Sequence, residues 1–240
     1  MGSFYTVVGL RLPKKEKFIN SRSHCDSCDH VLSLLDMVPI VSYFLLGKKC
    51  RYCKKRIDGL STYMEFFTGV LFSLAYYRFG FSFELFTALG IVSMLTIISV
   101  SDITYFVIPD EILIFFTGYF LIISTLSEGV MMSLFHLLSG LTLFGFMYLI
   151  MLLGNAVFKK ETLGGGDIKL MFVVGLILHP FLGLVVIFIA SFLALPISLI
   201  ILWKKKQHLV PFGPFLITAF LFVYFTKIDM LTIIQFIRSF

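Results

Sequence analysis

The chain has 240 residues, of which 58% are hydrophobic and only 14% are charged, and it includes 29 phenylalanines. This composition and a mean hydropathy of +0.97 exclude an ordinary soluble domain and predict an all-α polytopic membrane protein. The formal net charge of +6 does not call for nucleic acid as a partner, because basic residues in cytoplasmic loops orient helices and bind anionic headgroups. The expected partner of the chain's surface is therefore the lipid bilayer.

The first apolar segment, Gly2 to Leu10, is too short to span a bilayer comfortably. Four basic residues follow it instead of preceding it (Arg11, Lys14, Lys15 and Lys17), which is the wrong charge order for a signal peptide. We expect this segment to be the end of a first membrane helix, either abbreviated or with residues missing upstream.

The polar segment 13–58 contains all four cysteines, arranged as Cys25-x-x-Cys28 and Cys50-x-x-Cys53. Two such pairs separated by 21 residues match the spacing by which four thiolates bind one tetrahedral zinc ion. Four cysteines complete the coordination sphere, so this zinc would be structural and would help a segment with little apolar surface to fold. Two disulfides or four unligated thiols are the alternatives, and a reducing cytoplasmic location disfavours the disulfides.

Seven longer apolar segments follow, and about 20 apolar residues suffice to cross a bilayer. They cover 61–79, 83–101, 107–126, 131–158, 168–180, 181–203 and 210–226, of which the fifth is short. The sequence thus predicts about seven transmembrane helices plus an N-terminal helix stub. The predicted division is the stub over 1–12, a cytoplasmic zinc-ribbon-like loop over 13–60 and a membrane domain over 61–240.

The distribution of basic residues predicts which side of the membrane each loop occupies. If 11–58 is cytoplasmic, three later loops are cytoplasmic as well (around 102–107, 159–167 and 204–209). Together with Lys169, these regions hold 17 of the 20 Lys and Arg residues, as expected from the positive-inside rule. Asp102 and Asp167 would then lie at the cytoplasmic ends of two helices, at similar depth.

Asp102 and Asp167 each stand at the edge of a long apolar run, where a carboxylate is costly and usually functional. Two like charges a few ångströms apart cannot both ionise easily. One carboxyl group would then keep its proton and polarise a carbonyl while the other activates a water molecule, as in aspartyl proteases. The alternative is a pair of interfacial aspartates that cap helices.

The residues beside the two aspartates also have structural interpretations. Pro109 is expected to break the chain after the first aspartate and to begin the next helix. Asp110 would then lie in a helical first turn, where carboxylates are favoured, and direct involvement in the chemistry is the alternative. Gly164 and Gly166 allow the backbone beside the second aspartate to approach a substrate strand closely.

Taken together, these motifs resemble the bacterial type IV prepilin peptidases, which are membrane aspartyl proteases with a Gly-x-Gly-Asp motif. The resemblance extends over nearly the whole chain. Its motifs are the N-terminal range from Gly2-Ser3-Phe4 to Arg11-Leu12-Pro13, the two cysteine pairs, Asp102 with Ile108-Pro109-Asp110, Gly164-x-Gly166-Asp167-x-Lys169, and Pro211-Phe212-Gly213-Pro214. It implies that Asp102 and Asp167 are the catalytic pair, with Lys169 and Gly164 as supporting residues.

The resemblance also implies an activity and its partners. Family members cut the short basic leader from type IV prepilins and pseudopilins of pilus, protein-secretion and DNA-uptake (competence) systems, at the cytoplasmic face of the cell membrane. Many then methylate the new N-terminal residue with S-adenosylmethionine, and Glu65 and Gly80 look like positions associated with that activity. Glu65 taken alone fits a helix-start carboxylate equally well.

Two other classes of function are kept as alternatives. Acidic residues could line an ion or proton path in a small transporter, although these aspartates stand at helix ends and the sequence shows no repeated halves with broken helices. A catalytically silent scaffold could use the cysteine loop to bind a partner. The presence of both aspartates favours the peptidase.

Overall fold

The computed structural model describes residues 2–16, 28, 30, 31, 33, 41–56, 59–159, 163–205 and 211–227. Within these residues the protein has nine α-helices, a 3-10 turn at Leu12–Lys14 and no β-strand. The helices are α1 (Gly2–Arg11), α2 (Val41–Leu45), α3 (Leu60–Phe79), α4 (Phe83–Tyr105), α5 (Asp110–Glu128), α6 (Val130–Phe158), α7 (Gly165–Gly175), α8 (Pro180–Lys205) and α9 (Gly213–Thr226). The predicted all-α class is confirmed.

Four helices of the described part are long and apolar enough to cross a membrane, namely α4, α5, α6 and α8. α9 is apolar but shorter, and α7 has only 11 residues, which amounts to roughly 16 Å. α3 has 20 residues but carries more polar side chains along its length. The protein is a multi-pass membrane protein, and the predicted count of seven full spans is not confirmed among the residues described.

The short helix α7 is packed inside the protein and does not cross the bilayer by itself. Gly175 at its end lies so close to α6 that a Cβ there would be 2.6 Å from the Gly140 Cα. Beside this contact, the Ser139 hydroxyl of α6 donates to the Leu178 carbonyl at 2.8 Å. Close glycine contacts and interhelical hydroxyl bonds are common where helices meet in membranes. The predicted span 168–180 therefore ends early, because the chain turns after Gly175.

α4 is the central helix of the protein. In the apolar stretch of α4, 67% of the residues are buried, compared with 22% in that of α5. The helices α1, α3, α5 and α9 all pack against α4. Gly9 of α1 approaches it so closely that a Cβ would lie 2.7 Å from the Ile97 carbonyl oxygen. The Ser93 hydroxyl of α4 donates to the Tyr5 hydroxyl of α1 at 2.9 Å. These contacts place the last turn of α4 in the interior.

The outer helices expose large apolar side chains. Ile114 on α5 is 72% exposed, and Phe188 and Phe192 on α8 are 72% and 74% exposed. Such surfaces would be unfavourable in water but are normal against lipid tails. The lipid bilayer is therefore the medium that these faces require.

Candidate active site

Asp102 lies in the last turn of α4 and is only 6% exposed. Its Oδ2 atom accepts a hydrogen bond from the backbone N–H of Gly213 at 3.0 Å. Gly213 is the first residue of α9, where the positive end of the helix dipole favours a carboxylate. The Asp102 carboxyl group thus lies between the C-terminal end of α4 and the N-terminal end of α9.

Asp167 is the third residue of α7 and is 9% exposed. Its backbone N–H donates to the Gly164 carbonyl at 3.1 Å, and Gly164 is the N-cap of the helix. A Cβ on Gly164 would lie 3.1 Å from the Asp167 Oδ2, so a glycine leaves room for the carboxyl group. The alternative in which Asp167 itself caps α7 is wrong, because Gly164 occupies that position.

The two aspartates come close enough for their charges to interact. Burial in the protein and, to a smaller extent, the charge of Asp102 together raise the pKa of Asp167 to about 7. At neutral pH the Asp167 carboxyl group is therefore substantially protonated. A buried pair in which one carboxyl group keeps a proton is the arrangement on which aspartyl proteolysis depends.

Ile108 packs between the start of α7, which carries Asp167, and the start of α9, which binds Asp102. A Cβ on Gly166 would lie 2.9 Å from the Ile108 Cβ, and one on Gly213 would lie 3.0 Å from the Ile108 Cδ1. Two glycines therefore let this side chain fit beside both carboxyl groups. The sequence pattern did not single out Ile108 or Gly213 as parts of the site, and the only signal at Gly213 was its place in Pro211-Phe212-Gly213-Pro214.

Lys169 and Asp110 form an ion pair at the edge of the site. The Lys169 Nζ lies 2.7 Å from both carboxylate oxygens of Asp110, and both side chains are more than half exposed. Pro109 is the N-cap of α5, in an extended conformation, and Asp110 is the first helical residue. The chain leaves α4 and begins α5 at Pro109, as the sequence indicates. Asp110 therefore lies in the first turn of α5 and also forms an ion pair with Lys169 of α7.

Three of the four cysteines form a cluster in the described part of the chain. The Cys28, Cys50 and Cys53 sulfur atoms lie within 4.8 Å of one another, and the Cys50 N–H donates to the Lys55 carbonyl at 2.9 Å in a tight turn. Thiolates on one tetrahedral zinc ion lie about 3.8 Å apart, given Zn–S bonds of about 2.3 Å. The cluster fits a zinc site, and the fourth predicted ligand, Cys25, lies outside the described residues.

Glu65 and Gly80 lie on α3 or at its end but far from each other. The N-terminus of α1 packs against Glu65, since a Cβ on Gly2 would be 2.6 Å from the Glu65 Cα. Gly80 ends the helix with a φ of +59°, and its N–H donates to the Tyr76 carbonyl. Along a helix these two positions are separated by roughly 22 Å, so the structure does not bring them into one site.

The chain matches two family profiles. The family described as "Bacterial Peptidase A24 N-terminal domain" matches residues 1–79. The "Type IV leader peptidase family" matches residues 89–199. The second match includes both aspartates, and the first includes the cysteine segment.

Curated relatives carry names of the same kind. A prepilin leader peptidase/N-methyltransferase of Bacillus subtilis is 36% identical over 178 residues, which is 74% of this chain and 69% of the relative. A protein of that name in Myxococcus xanthus is 30% identical over 177 residues, covering 73% of this chain and 52% of the relative. Another, from Vibrio cholerae, is 28% identical over 244 residues, covering 94% of this chain and 92% of the relative.

No solved structure matches the chain significantly. The relatives give no support to the transporter hypothesis, since their names describe a peptidase and a methyltransferase. The family profile matches the segment that holds both aspartates, and the Bacillus relative is 36% identical. This chain therefore belongs to the type IV leader peptidase family.

Proposed function

We propose that this protein is a membrane aspartyl endopeptidase that removes the basic leader from type IV prepilins or pseudopilins. One observation supports the proposal most directly, namely the burial of Asp102 and Asp167 beside each other at the ends of two different helices. Two buried carboxyl groups are costly in a membrane protein. Their catalytic use is consistent with the family to which the chain belongs.

The proposed reaction begins with Asp167 protonated and Asp102 ionised. Asp102 takes a proton from a water molecule as the water oxygen attacks the scissile carbonyl carbon, and Asp167 gives its proton to the carbonyl oxygen. Asp102 then passes its proton to the leaving amide nitrogen, the C–N bond breaks, and Asp167 recovers a proton from the diol. The Gly213 N–H keeps Asp102 oriented throughout, and no covalent intermediate forms.

Neighbouring residues support this pair by leaving space and by fixing helix starts. Gly164 and Gly166 leave the space that the Asp167 carboxyl group and the Ile108 side chain occupy. Pro109 starts α5, so that Asp110 can bind Lys169 of α7. The substrate strand would approach beside Gly164 and Gly166, because glycines allow two backbones to come close together.

The proposed location is the cell (cytoplasmic) membrane, with the aspartates facing the cytoplasm. The concentration of Lys and Arg in 11–58 and in the later loops on the same side supports this orientation. A basic leader would lie on that side before cleavage, and the apolar segment after it would be in the bilayer.

A structural zinc ion in the cysteine loop is a separate part of the proposal. Cys28, Cys50 and Cys53 supply three clustered sulfur ligands, and Cys25 would be the fourth. A bound zinc would fix the fold of this loop, and a full set of four thiolates leaves no ligand position for a reacting water. The three clustered thiols and the spacing of the fourth support the assignment.

Methylation of the new N-terminus with S-adenosylmethionine is the second proposed activity. The names of the Bacillus and Vibrio relatives include an N-methyltransferase. Glu65 remains a candidate for this reaction because it lies where α1 meets α3. Gly80 is about 22 Å away, so its proposed contribution is limited to ending α3.

The decisive experiment is co-expression with a prepilin-type substrate, followed by mass spectrometry of the substrate's N-terminus. Asp102→Asn and Asp167→Asn should each lower leader removal by roughly a hundredfold or more, the usual contribution of general acid–base catalysis. Glu128→Gln, at the far end of α5, is the control and should cleave normally. Cleavage retained by either Asn variant would remove that aspartate from the mechanism, and an added methyl group on the product would demonstrate methylation.

A further inference from the structure

A lateral groove of about 360 Å³ opens on the surface of α4, between α3 and α9. Aromatic side chains of α3, including Tyr63 and Phe66, form one wall, and Thr218 of α9 lies on the other side. Leu95 and Ser99 of α4 are part of its floor. None of the residues assigned above to the aspartate pair lines this groove, so it is a separate feature of the membrane domain.

The helices on either side of the groove, α3 and α9, contact each other toward their C-terminal ends. There the Phe79 ring packs 5.4 Å from the Tyr224 ring and 5.3 Å from the Phe225 ring, measured between centroids. The Arg78 Nε also donates to the Phe225 carbonyl at 3.2 Å. At the other end of α9, Gly213 binds the Asp102 carboxylate.

The groove comes close to Asp102 along α4. Ser99 and Ile103, which both line the groove, stand three residues before and one residue after Asp102 on the same helix. At about 100° per residue, both lie on the side of α4 next to the Asp102 side chain. A segment that fills the groove would therefore lie next to the Asp102 turn of α4.

The chemistry of the lining suits a protein helix better than a lipid tail. The lining is mostly apolar and has no charged side chain, but it includes the hydroxyl groups of Thr96, Ser99 and Thr218. Thr96 and Thr218 donate to carbonyl groups of their own helices. Ser99 is only 7% exposed, and its hydroxyl makes no hydrogen bond to any residue that the structure describes. Hydroxyl groups in membrane interfaces bind polar atoms of a neighbouring helix, which an acyl chain lacks.

We propose that this groove receives side chains from the apolar transmembrane helix of the leader-bearing substrate, with the bond to be cut beside Asp102. This inference rests on the proposed peptidase function. Apolar side chains of the substrate pack between the α3 aromatic residues and α9, and Ser99 binds a polar atom of the substrate helix. Since no lining residue is charged, the basic leader stays outside the groove.

Site-specific photo-crosslinking tests the proposal. A benzophenone amino acid replaces Phe66 in the Asp102→Asn chain, which keeps the substrate uncleaved, and the matched control carries it at Phe115 of α5. The two positions are both phenylalanines near the start of their helices, and they are 61% and 64% exposed. After co-expression with a prepilin-type substrate and irradiation, the expected result is a covalent adduct with intact substrate at Phe66 and none at Phe115.

Each outcome of the crosslinking decides the question. Equal adducts at both positions, adducts at Phe115 alone, or lipid adducts alone at Phe66 would overturn the groove proposal. The chain with Asp102 restored is assayed for cleavage in parallel. Cleavage without a substrate adduct at Phe66 would reject the groove alone, whereas a chain that does not cleave would reject the peptidase function and the groove together.

Filling the groove is an independent test. Thr218→Trp places a large side chain inside it, and Ile114→Trp places the same side chain on a lipid-facing surface of α5 that is 72% exposed at Ile114. The first variant should lower kcat/KM for the membrane-bound substrate by roughly tenfold, the lower end of what changes in an apolar pocket produce. The second should be unchanged, and equal activity of the two variants would overturn the proposal.

Discussion

Asp102 and Gly213 lie 111 residues apart in the sequence, yet the Asp102 Oδ2 accepts the Gly213 N–H at 3.0 Å. The contact joins the end of α4 to the start of α9. A helix N-terminus supplies an unpaired backbone donor and a favourable dipole. There is no spare volume at this position, because a Cβ on Gly213 would lie 3.0 Å from the same carboxylate oxygen.

Gly213→Ala should impair cleavage without unfolding the protein. The substitution keeps the N–H but pushes a methyl group against Asp102 and Ile108, and small displacements of a catalytic group can lower rates by about a hundredfold. We expect kcat for leader removal to fall by roughly tenfold or more. Gly145→Ala is the control, since a Cβ there meets nothing within 4 Å. Normal cleavage by Gly213→Ala would show that this contact does not position the carboxylate.

The glycines before Asp167 offer a comparison between adjacent residues. A Cβ on Gly164 would lie 3.1 Å from the Asp167 Oδ2, whereas one on Gly165 meets nothing within 4 Å. Gly164→Ala is therefore expected to reduce cleavage several-fold, and Gly165→Ala to retain it, with a stability gain up to about 1 kcal/mol from helix propensity. Cleavage assays and thermal unfolding of both variants check this. Equal loss of cleavage in the two would mean that crowding at Asp167 is not the cause.

The Lys169–Asp110 ion pair should matter for activity more than for stability. Exposed ion pairs contribute only about 0–1 kcal/mol, and both of these side chains are more than half exposed. Lys169→Met or Asp110→Asn should leave Tm nearly unchanged but lower kcat, because the pair connects the starts of α5 and α7. The double exchange Lys169→Asp with Asp110→Lys should restore part of the activity.

A second exposed ion pair, between Lys227 and Glu84, serves as the control. Lys227 pairs with Glu84 at 2.7 Å with similar exposure, but it joins the start of α4 to the end of α9. Lys227→Met should therefore lose neither kcat nor stability. If it lowered kcat as much as Lys169→Met does, the effect could not be assigned to the edge of the active site.

Cleavage should weaken as the pH rises through about 7. Burial, followed by the charge of Asp102, raises the pKa of Asp167 to about 7. Below that pH the carboxyl group keeps the proton that it donates to the scissile carbonyl, and above it the proton is lost. A profile of kcat/KM from about pH 5 to about pH 9 reports this ionisation in the free enzyme. A rate independent of pH across the neutral range would contradict the assigned role.

Zinc should be separable from proteolysis. Freshly reduced protein is expected to contain about one zinc ion per chain, and Cys50→Ser should release it because Cys50 belongs to the sulfur cluster. Limited proteolysis of the segment before α3 should then accelerate, since structural zinc sites contribute directly to folding. Leader cleavage should persist. A chain without zinc before any substitution would refute the metal assignment.

Helix positions were largely predictable, but their ends were not. The apolar pattern predicts a span over 83–101, whereas α4 continues to Tyr105 and includes Asp102. Backbone hydrogen bonds extend past the first carboxylate, as the Phe106 N–H donating to the Asp102 carbonyl shows. Hydropathy detects where the apolar run ends, near residue 101. The helix ends about one turn later, at Phe106, which has a φ of +57°.

The motif pattern indicated both aspartates but not what surrounds them. Their spacing and flanks predict that Asp102 and Asp167 form a functional pair, because a carboxylate at the edge of an apolar run is costly and is usually kept for a function. Their contacts with Gly213 and Ile108 depend on how α4, α7 and α9 pack together. Such packing between distant segments leaves no periodic signal in a single sequence.

The glycine contact between α6 and α7 also fixes the start of α7 relative to the end of α6. From Gly140, α6 continues to Phe158 for roughly 27 Å, whereas α7 extends from Gly175 back to Gly165 for only roughly 15 Å. The start of α7 therefore lies about 12 Å short of the end of α6. An extended chain covers this distance in about four residues. In the proposed peptidase, a leader that runs beside the overhang of α6 would therefore need about four extended residues to reach from the aspartates to the level at which α6 ends.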